Sequence, residues 1–255
     1  VFHWGIAGAA YATIFAQYVS GIGILLYVLF RCRSLFPERK DLCFDGGILK
    51  EIAGLSSLTC LQQSVMNFGI LMVQGLVNSF GATTMAAFAA AVKIDTFAYL
   101  PVQDFGNAYS TFVAQNYGAG NKERIRRGTK ESFAISTAFS LVISALVFAF
   151  AAPLMQIFVS SAETAVIASG VRYLRIEGAF YFGIGCLFLL YGYYRAIKRA
   201  EMSVVLTVIS LGIRVLLAYV LSATFLGETG IWMAIPIGWV LADVTGLVYM
   251  KFHEK

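Results

Sequence analysis

Four ionisable groups interrupt otherwise apolar stretches of this sequence: Lys93 with Asp95, Arg175 with Glu177, Arg214, and Asp243. A charge inside hydrocarbon costs about 2.5–3.5 kcal/mol on insertion scales, so it usually meets a partner, a wet cavity or a function. Glu177 has the richest surroundings. Tyr173, Glu177, Tyr181 and Gly185 recur every fourth residue, which puts them on one helix face. A carboxylate beside phenols, with small residues near, takes up a proton or helps hold a cation. The competing structural reading pairs Glu177 with Arg172 or Arg175 near the outer membrane surface. Asp95 shares a face with Tyr99 one turn on, while Lys93 points elsewhere, and both a cavity role and a structural contact stay open for it. Arg214 and Asp243 are read as a structural pair across two later helices.

Uncharged polar residues add two further stripes. Gln103, Asn107 and Ser110 follow helical spacing just after Pro101, which removes a backbone hydrogen bond and should kink its helix. A kinked helix with a polar stripe lines water or substrate more readily than lipid, although hydrogen bonding between helices is the alternative use. Gln63, Asn67 and Gln74 share a face on an earlier helix and are read as cavity lining. Soluble-enzyme signatures are missing: there is no Walker loop, no HExxH and no GxSxG. The two histidines, His3 and His253, lie near the chain ends. Cys32, Cys43, Cys60 and Cys186 form no CxxC pair and have no histidine at ligand spacing, so neither a metal nor another cofactor is expected. The expectation is a non-enzyme.

The elements that position these residues follow from composition. The chain has 255 residues, of which 59% are hydrophobic and 13% charged. Soluble domains are nearer 45–50% apolar and about 25% charged, so this chain needs a lipid bilayer as its solvent. Seven apolar stretches read as spans, at residues 5–30, 54–80, 86–116, 132–158, 165–194, 202–224 and 230–250. Each suffices to cross a core of about 30 Å. Barrel strands would show ten-residue alternation, and none is present. The fold class is therefore an all-α polytopic membrane protein of about seven transmembrane helices.

Charge placement orients these helices. Of 19 basic residues, 15 lie in the loops after the first, third and fifth spans and at the C-terminal end. The loops near Phe80–Thr84, Ser160–Glu163 and Leu226–Gly230 carry no Lys or Arg. The positive-inside rule then puts the basic side in the cytoplasm, the N-terminus outside and the C-terminus inside, in the cell membrane. This clustering between apolar runs, without aromatic interleaving, excludes a nucleic-acid partner. The stretch Ser34–Leu49, with Pro37, mixed charge and Gly46–Gly47, is the one candidate boundary. One helix precedes it and six follow, and Val1 stands in or just before an apolar run. The expectation is the interior of a longer polypeptide.

These residues carry a family resemblance. The stretch from Pro101 onward ends in the turn Gln115, Asn116, Gly118, Ala119, Gly120 followed by basic residues, and it resembles the multidrug and toxic compound extrusion (MATE) family. The segment Tyr173–Gly178 is similar to that family's tenth helix and Tyr194–Ala200 to the turn after it. Trp4–Gln17 looks like its sixth helix. The resemblance implies twelve helices in two six-helix lobes. Residues 1–33 would be the last helix of the N-terminal lobe, 34–53 a cytoplasmic inter-lobe linker, and 54–255 the C-terminal six-helix lobe. It implies an antiporter that exchanges cationic, amphipathic compounds for protons or sodium between the lobes by alternating access. The implied partners are small-molecule substrates, the coupling ion and the N-terminal lobe of the same transporter.

One departure from the family pattern matters. One branch carries acids in its seventh and tenth helices, whereas the matching stretches here, Gln62–Gln74 and Phe180–Tyr191, hold none. Another branch uses an aspartate in its first helix. Ion coupling is then expected mostly outside this stretch, with Glu177 and Asp95 as the acids this half supplies. Tyr181, Gln63, Asn67, Gln103 and Asn107 complete the expected cavity or coupling set. The runner-up is a lipid-linked oligosaccharide flippase of the same superfamily, although such flippases often carry more basic cavity residues. A seven-helix receptor fits poorly, since Asp-Arg-Tyr and Asn-Pro-x-x-Tyr motifs are missing.

Overall fold

The computed structural model describes residues 5–32 and 43–253. Among them the chain forms eight helices: α1 Gly5–Arg31, α2 Gly46–Ser79, α3 Ala82–Gly118, α4 Lys122–Gln156, α5 Thr164–Gly178, α6 Tyr181–Ala196, α7 Ala200–Ser222 and α8 Glu228–His253. Six are long and apolar enough to cross a membrane, or seven if α5 and α6, which meet at a 52° bend, count as one span. The residues His3, Trp4, Pro37, Arg39 and Lys40, on which parts of the sequence reading rest, lie outside the described residues.

Two compact units divide the chain, residues 1–51 and 52–255. The first holds α1, whose described side chains are exposed along almost its whole length. The second holds α2 from Ile52 onward together with α3–α8. Its centre is aromatic. The Phe88 ring stacks on Trp232 at 5.5 Å, and Tyr173 meets both rings edge-on, at 5.6 and 5.0 Å. Hydrogen bonds tie the helices across the apolar interior. Ser110 Oγ donates to the Gly192 carbonyl at 2.9 Å, and Tyr194 Oη donates to the Gly246 carbonyl at 2.7 Å.

Several boundaries differ from the sequence reading, each for a physical reason. The basic run Lys122–Lys130 is the opening of α4 and not a loop. Asn121 Oδ1 accepts from the Arg124 amide at 3.1 Å and caps that helix, and Glu123 complements its dipole in the first turn. Gly120, at φ 70°, supplies the left-handed step of the turn before it. The helix of the second span begins at Gly46 rather than at 54, with Asp45 Oδ1 accepting from the Gly47 and Ile48 amides. The fifth stretch, read as one helix over 165–194, is broken at Ala179–Phe180. At Pro101 α3 continues as one helix, whereas α4 departs from helical dihedrals at Phe150, three residues before Pro153.

Candidate functional site

The deepest polar cluster of the lobe is assembled from three helices. Asp95 comes from the middle of α3, Tyr173 and Glu177 from α5, and Tyr181 from the first position of α6. All four side chains are buried; the two carboxylates are only 4% and 6% exposed. Tyr181 Oη donates to Asp95 Oδ1. Tyr173 lies within hydrogen-bonding reach of both acids, and the acids lie within reach of each other. One oxygen of each acid, Asp95 Oδ2 and Glu177 Oε2, has no partner. Such orphaned atoms are uncommon in a protein interior and call for an explanation such as bound water or an ion.

The sequence reading offered Arg172 or Arg175 as a neutralising partner for Glu177. The structure engages both elsewhere. Arg172 Nη1 lies 3.5 Å from Glu228 Oε1 in an ion pair, and the Arg175 guanidinium lies over the Phe148 ring at 5.3 Å. The reason is geometric: on α5 neither arginine shares the inward face of Glu177, which is buried rather than at the membrane edge. The positive charge that acts on both acids comes from Arg214 of α7. Its Nε is buried and unpartnered. The expected Arg214–Asp243 ion pair is not found among the described residues; Asp243 instead lies within hydrogen-bonding reach of the Cys186 thiol on α6.

The other expected site residues are placed apart from this cluster. Gln103 is half-buried further along α3, and Asn107 is exposed, with its Oδ1 accepting from Arg195 Nη2 at 3.4 Å. Gln63 and Asn67 are exposed on α2, and it is Gln62 that turns into the lobe. Lys93, two residues from Asp95, points away and sits over the Phe158 ring at 5.9 Å. Tyr173 was recognisable in the sequence by its place one turn before Glu177. The role of Arg214 was not, since nothing in its sequence neighbourhood points to α3 or α5.

Chemically, two carboxyls and two phenols in a buried interior make a set of oxygen ligands able to hold a proton or a small hard cation, with the Arg214 charge acting on them from α7. The fold is that of a helical membrane-protein lobe. The MatE family model matches residues 58–220, and the chain belongs to that family. A probable multidrug resistance protein, YpnP of Bacillus subtilis, is 30% identical over 255 residues, which is 99% of this chain and 56% of that protein. A probable multidrug resistance protein NorM of Thermotoga maritima is 29% identical over 243 residues, 94% of this chain and 50% of its own length. This chain therefore spans about half the length of these relatives. The fold matches a solved structure described as the outward-facing conformation of a multidrug resistance MATE family transporter, with a TM-score of 0.89 at 24% identity, covering 98% of this chain and 56% of that one.

Proposed function

We propose that this chain is one half of a cation-driven exporter of amphipathic, cationic compounds, and that its two buried acids take part in ion coupling. The observation that carries this reading is the burial of Asp95 and Glu177 side by side, with neither in an ion pair and each keeping an orphaned oxygen. A structural acid would be neutralised. An acid that exchanges its ion must be able to hold it in one conformation and release it in another, because a ligand drives a transition only through its differential affinity for the two states. Proton or sodium binding at this cluster would then be linked to opening of a cavity between this lobe and an N-terminal lobe of the same transporter. On this reading Gln63, Asn67, Gln103 and Asn107 face the cavity where the substrate passes. The opening of α4 and the ends of α6 and α8, which carry basic residues, lie in the cytoplasm and the protein spans the cell membrane, with transport rather than bond chemistry as its work.

The test is efflux of a fluorescent lipophilic cation from cells that make the full-length protein. Asp95→Asn and Glu177→Gln keep shape and remove the acid, and each should reduce efflux at matched protein level. Wild-type efflux from both would overturn the reading. Orientation is tested with cysteines placed at Arg126 and Lys198, which an impermeant thiol reagent added outside intact cells should leave unlabelled.

A further inference from the structure

The acid cluster leaves Lys93 without a role, yet an ammonium rising from an apolar span calls for one. Lys93 stands about three turns into α3, about 16 Å along the axis from Ala82. Ala82, Ala86, Ala89 and Lys93 follow one helical stripe. Alanine side chains are too short to fill the space in front of them, and a cleft of about 570 Å³ opens there. That volume is the size of a site for a small organic group. The turn between α4 and α5 forms the other wall, with Phe158 and Glu163.

Two opposite charges share this cleft without pairing: among the described residues neither Lys93 nor Glu163 forms an ion pair. The Lys93 ammonium lies 5.9 Å from the centre of the Phe158 ring. Glu163 is the N-cap residue of α5, yet its side chain caps no amide. Both residues are exposed, so both charges are available to a ligand. Their places differ. Lys93 enters from within the span, whereas Glu163 stands at the rim, in the turn before α5. Going outward from the membrane, a ligand meets the cation first and the carboxylate second. In the other direction the α3 stripe continues as Phe97 and Leu100, 77% and 42% exposed, which offer an apolar surface.

We propose that this cleft holds the headgroup of a phospholipid of the ethanolamine type, in the leaflet at the end of the lobe opposite its basic turns. The order of the charges selects it. In such a lipid the phosphate adjoins the glycerol and the ammonium is outermost. The phosphate then meets Lys93, the ammonium donates N–H bonds to Glu163, and the acyl chains lie along Phe97 and Leu100. Charge-assisted bonds of this kind are the strong ones. An anionic headgroup would turn negative charge toward Glu163. A choline headgroup offers the carboxylate no N–H. A cationic amphiphile would bring its charge against Lys93. The site stands apart from Asp95 and Glu177 and does not depend on their role in ion coupling.

The experiment mixes the full-length transporter in detergent with equal amounts of phosphatidylethanolamine, phosphatidylcholine and phosphatidylglycerol of identical acyl chains. Native mass spectrometry then counts the lipid each protein retains. The wild type should keep phosphatidylethanolamine in preference to both others. Lys93→Gln should lower that retention on the order of tenfold, the effect of losing one hydrogen bond to a charged group. Glu163→Gln should lower it similarly and erase the preference over phosphatidylglycerol. Ala86→Trp fills the cleft with both charges in place and should abolish retention. Lys93 and Glu163 are exposed, so the lipid-free Tm of their variants should match the wild type. Equal retention of the three lipids by the wild type overturns the proposal, as does an ethanolamine preference that survives both charge variants. A preference for phosphatidylglycerol makes the cleft an anion site and overturns it too. Retention of no lipid, as when the other half of the transporter fills the cleft, likewise overturns it.

Discussion

Two glutamates of this lobe sit on opposite sides of one principle. Glu228, at the start of α8, is fully engaged: Thr84 Oγ1 donates to it at 2.8 Å, Ser169 Oγ at 3.1 Å, and Arg172 Nη1 lies at 3.5 Å. It ties together α3, α5 and α8 at one end of the bundle. Glu177, less than three turns along α5 from Ser169, is more deeply buried, yet one of its oxygens has no partner. Hydrogen bonds to a charged group stabilise a fold by about 1.5–3 kcal/mol each, whereas an unsatisfied buried group costs about 1–3 kcal/mol. Glu228 is therefore an anchor. Glu177 is retained at a cost to stability, and such a cost is expected where a group must exchange a ligand.

The comparison can be broken most sharply at Glu177. Glu177→Gln in the full-length protein should lower ion-driven efflux on the order of tenfold or more, while Tm in detergent stays level or increases. A lower Tm with intact efflux per molecule would make it a second anchor. Glu228→Ala should do the reverse. It strips Thr84, Ser169 and Arg172 of their acceptor and should cost about 1–3 kcal/mol in a thermal or denaturant melt, with efflux per folded molecule retained. Tyr181→Phe should fall between them. It takes the donor from Asp95 Oδ1, so both stability and coupled efflux should fall modestly, read from the melt and from the same efflux assay. The smallest effect belongs to the exposed Arg127–Glu131 pair, 2.9 Å apart and 83% and 60% exposed. Arg127→Gln should leave both the melt and efflux unchanged, since an exposed pair is screened by solvent.

Much of this architecture could be read from the chain itself, because lipid imposes a simple rule: long apolar stretches must be helices. That rule locates the spans but is blind to breaks made without proline. The corner after Gly178 arises where only Ala179 and Phe180 lie between α5 and α6, and no proline or polar gap marks it in the sequence. Likewise, α4 extends beyond its apolar stretch because Asn121 and Glu123 favour a helix start among charged residues. For the site, helical spacing put Tyr173, Glu177 and Tyr181 together, since that relation is local. The meeting of Asp95 with them spans 86 positions to Tyr181 and depends on how α3 packs against α5 and α6. Arg214 was assigned to Asp243 on proximity of neighbouring helices, but its charge acts across the bundle on Asp95 and Glu177. The Gly185 position, expected beside Glu177, faces the α4 serines instead, because the corner lies between the two residues.

That corner has a mechanical consequence. Two backbone bonds hold the 52° bend: the Phe180 amide donates to the Glu177 carbonyl at 2.9 Å and the Gly183 amide to the Phe180 carbonyl at 2.8 Å. Tyr173 and Glu177 belong to one lever arm, and Tyr181 to the other. A few degrees of flexing at this elbow would leave Tyr173 fixed relative to Glu177 and carry Tyr181, with its grip on Asp95, toward or away from them. Glu177 and Tyr181 are four positions apart in the chain, but the joint lets the distance between their side chains vary like the opening of a pair of tongs.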